Sequence, residues 1–270
     1  MTLEAAPTDE LLYAVDEAGI ARITLNRPQA RNALTFAMYE GLVALCRRIE
    51  ADRSVKAVIV SGAGDKAFAA GTDIGQFRDF RTAEAALGYE RFMDTVLGSL
   101  ERLRVPTIAA VAGACTGGGM AIAAACDLRI ASADARFGIP IARTLGNCLS
   151  QSTLRRLSGL IGAPRVKDIL FTARLVGADE ARAIGFANEV VGDAEAVQAR
   201  AGELATLLAS HAPLTLQATK EGLRRLSEGP TGEGSDQSGD DLIVLCYTSE
   251  DFREGMDAFL SKRPPAFKGR

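Results

Sequence analysis

The stretch Gly117–Leu128, GGGMAIAAACDL, sets three glycines directly before a run rich in Ala, Met and Ile. Glycines in a row let a backbone turn sharply and lie close to a ligand, and the residues that follow favour helix. A helix starting at Gly118 aims unpaired N–H groups and the positive end of its dipole at whatever lies before it. A second stretch, AFAAGTDI (Ala67–Ile74), sets another glycine at the end of an apolar run. One backbone N–H from each stretch, pointed at the same spot, would make an oxyanion hole. That device holds the negative charge that develops on a carbonyl oxygen, and each donor lowers the barrier by about 3 kcal/mol.

Other chemistries find less support. Gly62, Gly64 and Ala67 fit the G-x-G-x-x-A spacing of a dinucleotide fingerprint, but that motif needs a helix immediately afterwards. Apolar AFAAG follows instead, so these glycines read as a turn. The five cysteines, Cys46, Cys115, Cys126, Cys148 and Cys246, form no C-x-x-C. Cys115 and Cys126 lie in apolar sequence and read as buried free thiols. The single histidine, His211, is distant in sequence from every cysteine, so no metal site is expected. A net charge of −3 gives no reason to expect nucleic acid or an anionic membrane as partner. The first residues, MTLEAAPTDELL, lack the basic start and apolar run of a targeting segment, and no apolar stretch approaches the ~20 residues of a membrane helix. A reduced, cytoplasmic setting is the expectation.

The elements that must position these glycines read as follows. Residues 11–26 form two short strands around a turn at Glu17–Gly19. Leu34, Met38, Leu42, Leu45 and Ile49 recur at helical spacing. VKAVIVSG is a buried strand, Ala83–Leu103 a helix ending before Val105–Pro106, and TIAAVAG another strand. The glycine run and its helix follow, then LRIASADARFG as a strand and turn. Strands alternating with helices predict an α/β fold with parallel pairing and crossover connections. Residues 195–227 read as helical throughout, 227–241 as a polar, glycine-rich mobile loop, and 242–263 as one amphipathic helix. The chain divides on this reading into a core of residues 1–195 and a helical region of 196–270 that packs on a neighbour.

Six pieces in order carry a resemblance: ITLNRPQARNAL, DKAFAAGTDI, VPTIAAVAGACTGGGMAIAAACDLRIAS, ARFGIP, ARLVGADEARAIGFANEVV and GMDAFLSKRPPAFKGR. Together they span nearly the whole chain, which resembles the crotonase family of enoyl-CoA hydratases and isomerases. The resemblance implies a spiral of ββα units with a helical C-terminal trimerisation region. It also implies a homotrimer, or a homohexamer built from two trimers. The ligand it implies is an acyl-CoA thioester, with coenzyme A as part of the substrate and no separate cofactor. Carried over by position, the oxyanion donors are the N–H groups of Thr72 and Gly118. Ala70, Thr72, Asp73 and Ile74 match the segment that lines the CoA pantetheine and adenine. Arg27 and Ala30 match a loop bordering the CoA phosphates. Phe259, Lys262, Phe267 and Lys268 stand where a neighbouring subunit contributes adenine or phosphate contacts, or else belong to a solvated tail.

The resemblance breaks at the acid and base. Hydratases of the family place one glutamate where this chain has Ala121 and a second where FGIPI has Ile141. Neither residue passes a proton, although hydration needs both an acid and a base. The following segment, ARTLGNCLSQS, offers Arg143 to bind a carboxylate or phosphate, Asn147 to orient water or a carbonyl, and Cys148 as a nucleophile without a visible histidine. Glu84, Glu90 and Asp94 sit on the helix expected over the acyl site; one of them could reach in, but charges on such a helix usually face solvent and that is the reading taken. Asp127 and His211 are read as structural. Phe77, Phe80, Phe92, Met93, Val96 and Met120 are candidates for pocket walls or for plain core. The expected activity is therefore enolate-stabilising chemistry on an acyl-CoA: isomerisation, decarboxylation, hydrolysis or an unorthodox hydration. The alternative is a homologue that binds acyl-CoA without turnover.

Overall fold

A computed structural model describes residues 9–78, 81–229 and 238–270. Phe80, the first eight residues and most of the polar stretch read as a mobile loop (230–237) lie outside them.

β1 (Leu11–Val15) and β2 (Ile20–Leu25) form an antiparallel pair, and α1 (Phe36–Ala51) follows. From there the chain repeats one move. β3 (Ala57–Gly62) is followed by β4 (Ala67–Ala69) and then α2 (Ala83–Glu101). β5 (Thr107–Val111) is followed by β6 (Ala114–Thr116) and α3 (Gly118–Ala125). β7 (Leu128–Ser132) and β8 (Arg136–Gly138) begin a third turn. The first strand of each pair joins a six-stranded sheet, ordered β1-β2-β3-β5-β7-β10 with β10 at Glu189–Val191. The second joins a four-stranded sheet, β4-β6-β8-β9 with β9 at Val176–Gly177. Strands of successive turns pair in parallel. This is the ββα spiral that the resemblance implies, and the order of elements predicts its parallel pairing and crossovers; β6 is an addition. Its three residues, Ala-Cys-Thr, are too few to show a period beside the glycines.

β3 and β5 are apolar and buried along their length, as parallel strands covered on both faces must be. One face meets the main core under α1, α2 and α3. The other meets α8 (Ala194–Ala209), whose Val197, Ala201 and Ala205 fall on one stripe against Ile59, Ile108 and Ile130. Alanines there let the helix lie close to the sheet. Before α8 come α4 (Ile141–Thr144), α5 (Gln151–Ile161), α6 (Ala163–Thr172) and α7 (Ala178–Ala183).

The helices near the C-terminus are more broken than the periodicity suggests. The expected run over 195–227 ends at Ala209 and restarts as α9 (Pro213–Glu228), with Pro213 at its first position and Ala212 held extended. The expected single helix over 242–263 is two, α10 (Asp240–Tyr247) and α11 (Glu250–Leu260). Ser249 divides them, because its hydroxyl accepts from Phe252 N and caps a new start. These helices leave large apolar side chains bare: Leu226, Phe259 and Leu260 are 78%, 84% and 78% exposed. Among the described residues no helix is long and apolar enough to cross a membrane.

Candidate active site

α3 begins at Gly118, with Gly117 before it in a left-handed conformation at φ 53°. Gly117 N–H is already used, donating to Gly138 O at 2.8 Å. The next N–H, on Gly118, is one of the first-turn donors that a helix cannot pair internally. Its glycine is required by space: a Cβ there would lie 2.3 Å from the Tyr39 hydroxyl and 3.1 Å from Thr72 Oγ1. The helix is pinned at its other end. Arg129, almost wholly buried, donates to Cys126 O at 2.7 Å, to Ala123 O at 3.3 Å and to Phe186 O at 2.5 Å. A cation at the carbonyl end of a helix suits its dipole.

Thr72 forms a lone parallel bridge with Leu34. Leu34 N donates to Gly71 O, and Asp73 N donates to Leu34 O, both at 2.8 Å. The residues on either side of Thr72 thus face Leu34, and the alternation of extended backbone turns Thr72 N–H the other way. Neither the Thr72 N–H nor the Gly118 N–H has an acceptor among the described residues. The Thr72 side chain is clamped between two tyrosines, with Oγ1 2.8 Å from the Tyr39 hydroxyl and 3.2 Å from that of Tyr89. Burial pushes both phenols above their ordinary range, so both stay neutral. Phe36, Phe77 and Tyr89 pack edge to face or tilted around this point, with centroids 5.0–6.2 Å apart.

Thr72 and Gly118 open on a cavity of about 210 Å³. Ala70, Ile74, Ala121, Ile141, Asn147 and Cys148 line it too, whereas Arg27, Ala30, Asp73, Arg143, Phe259 and Lys262 do not. Phe77 and Met93 are walls; Phe92, Val96 and Met120 are not, and the last two are buried in the core. Arg143 lies outside this wall, exposed on α4. Asp73 is engaged elsewhere. It accepts from Gly75 N at 3.1 Å and pairs at 3.1 Å with Arg27, which also reaches Glu10 at 2.9 Å. Ala30 lies in a short 3₁₀ turn on the same loop. Phe259 and Lys262 are exposed on the surface away from the cavity, and Phe267 and Lys268 line a separate, larger one of about 650 Å³ with His211. Asp127 is structural, accepting from Thr107 N at 2.7 Å and Lys220 Nζ at 2.7 Å.

One residue corrects the sequence reading. Glu90 lines the cavity, whereas the sequence placed it toward solvent. Glu84 is exposed as expected, and Asp94 is bound by the hydroxyls of Ser150 and Ser152. The signal was present: Glu90, Met93 and Leu97 fall three and four residues apart, one stripe of α2, and all three line the cavity. Burial and the neighbouring Asp94 charge raise the Glu90 pKa, while a bond from Ser150 N–H opposes the rise. Of the thiols, Cys115 and Cys126 are buried and free as expected, and burial pushes Cys126 up to about 12; Cys148 is exposed and free.

Comparison with known proteins places the chain. The family model for enoyl-CoA hydratase/isomerase matches residues 16–270. A short-chain-enoyl-CoA hydratase from Clostridium acetobutylicum is 37% identical over 94% of this chain and 96% of its own length. A crotonyl-CoA hydratase from Syntrophomonas wolfei is 34% identical over 93% and 95%. The crystal structure of an enoyl-CoA hydratase/carnithine racemase from Magnetospirillum magneticum superposes with a TM-score of 0.89 at 36% identity, covering 97% of each chain. With a ββα spiral, a glycine-led helix and relatives alike over nearly their whole length, this chain belongs to the enoyl-CoA hydratase/isomerase family of the crotonase superfamily.

Proposed function

We propose that this protein acts on an acyl-CoA thioester by stabilising its enolate, with the N–H groups of Thr72 and Gly118 as the oxyanion hole. The observation that carries this is the pair of N–H groups without acceptors on the wall of one cavity. The thioester oxygen takes both bonds, and the positive end of α3 adds to its hold on the developing charge. The lack of rearrangement matters: Tyr39 and Tyr89 fix Thr72 from behind, and Gly118 is seated against Tyr39. Ala70 and Ile74 continue the wall from Thr72 and suit the pantetheine arm. The bare apolar side chains of α9–α11 support assembly with further copies of the chain, as a homotrimer or homohexamer.

The test removes one donor. Gly118 is the first residue of α3, where proline is compatible with the helix, but the proline ring would strike the Tyr39 hydroxyl. Gly118→Pro is therefore made in a Tyr39→Phe background and compared with Tyr39→Phe alone. A panel of enoyl-, 3-hydroxyacyl- and malonyl-type CoA thioesters is followed by mass. Loss of the donor lowers turnover by about 10²–10³-fold; equal turnover in the two proteins refutes the oxyanion assignment. A second reading has its own observation: Ala121 and Ile141 line the cavity where hydratases of the family carry carboxylates. Tight binding without turnover across the whole panel would establish that reading, a protein that holds acyl-CoA without converting it.

A further inference from the structure

We infer that Glu90 is the residue that takes a proton from the substrate and gives it back. Glu90 is the only acidic residue lining the Thr72–Gly118 cavity among the described residues, and no lysine, arginine or histidine lines it. The inference rests on the oxyanion-hole reading above. α2 carries Glu90 on the same stripe as Met93 and Leu97, which line the cavity with it. The next residue back, Tyr89, is bound to Thr72 Oγ1 at 3.2 Å, so the turn of helix bearing the carboxyl is docked on the loop bearing one donor. The hydroxyls of Ser150 and Ser152 hold Asp94 one turn further on, and the Ser150 N–H favours the charged form of Glu90. The start of α5 thus fixes Asp94, which lies outside the cavity lining.

The step balances without any further reactant. A Glu90 oxygen removes a proton from the carbon next to the thioester carbonyl. The C–H electron pair becomes a carbon–carbon double bond, and the carbonyl π pair moves onto oxygen, held by Thr72 and Gly118 N–H. Glu90, now protonated, returns the proton to the same carbon or, where a double bond joins the next two carbons, to the farther of those two, leaving the double bond beside the carbonyl. The carbonyl re-forms and the carboxylate is regenerated. A single carboxylate suffices for such a proton shift, and no second acid is needed where Ala121 and Ile141 stand.

The raised pKa of Glu90 suits this role, because a base near the working pH takes and returns protons most readily. Asp94 on its own helix and Ser150 ahead of α5 act on it, and the titratable side chains that share the cavity with it are Tyr89 and Cys148. Arg156 on α5 is spent on Glu101 at 2.8 Å.

The experiment is exchange of the α-proton of butyryl-CoA in deuterium oxide, read by mass. The whole protein exchanges, and the rate falls as pH drops through a midpoint above the ordinary glutamate value of about 4.3. Glu90→Gln slows exchange by about 100-fold or more, removes that pH dependence, and leaves the butyryl-CoA Kd within about twofold. Glu90→Asp restores part of the rate. Exchange at the full rate in a folded, ligand-binding Glu90→Gln protein overturns the inference and leaves the oxyanion hole standing. Absence of exchange in the unmodified protein overturns both.

Discussion

Gly118→Ala adds one methyl group to a place where the fold has no room. The added Cβ falls 2.3 Å from the Tyr39 hydroxyl, and ordinary contact begins near 3.4 Å, so the two must part by about 1 Å. Tyr39 is fully buried, with Phe92 edge-on at a centroid distance of 6.4 Å, and has little freedom to yield. The movement breaks the 2.8 Å bond from Tyr39 to Thr72. Overpacking costs about 1–3 kcal/mol, and the stranded hydroxyl costs about 1–3 kcal/mol more. Alanine in place of glycine in a helix returns at most about 1 kcal/mol. The expected net loss is about 2–4 kcal/mol in urea denaturation. Tyr39→Phe alone costs about 1 kcal/mol, since Thr72 Oγ1 keeps its 3.2 Å partner in Tyr89. It also removes the atom that the methyl group strikes. The double variant should therefore be about as stable as Tyr39→Phe, with a coupling energy of about 2–4 kcal/mol in its favour, equal to the loss that Gly118→Ala causes alone. If the two losses simply add, the clash is not where the geometry puts it, and the account of why residue 118 is glycine falls with it.

Two further outcomes follow from buried charge. Arg129→Lys replaces a planar fork by a single ammonium that cannot reach Phe186 O, Cys126 O and Ala123 O together. It should cost about 3–5 kcal/mol in urea denaturation and speed amide exchange in α3; a loss under about 1 kcal/mol would contradict the pinning role. Glu90→Gln should raise stability above neutral pH and make no difference well below it. The folded pKa is raised, so the native state favours the protonated carboxyl, and that contribution is lost as pH rises through the folded value. A thermal midpoint that Glu90→Gln lowers at pH 8 would contradict the desolvation that defines its environment.

Much of this could be read from the residue string, and the failures have physical causes. The α/β class followed from buried apolar runs alternating with helical spacing, and the two glycine stretches do meet at one cavity. β6 escaped notice because three residues show no period. The split at Ser249 was hidden by apolar residues that continue at helical spacing across a capping serine. Glu90 was misplaced by treating acids on a covering helix as a class. Its offset from Met93 and Leu97, read residue by residue, puts it on the inward stripe. The seat of Gly118 against Tyr39 had no sequence signal at all, since it joins residues from α1 and α3 that only the folded chain brings together.

Arg129 has one more consequence. α3 is eight residues long and nearly all of it is buried, so its only routes of movement are along its own axis or through unravelling at an end. The guanidinium clasps three carbonyls around the far end and takes away the first route. A helix so tethered behaves as a strut and not as a piston. Any guest arriving at the glycine end meets a dipole that was aimed when the chain folded, and need not spend its own affinity on aiming it.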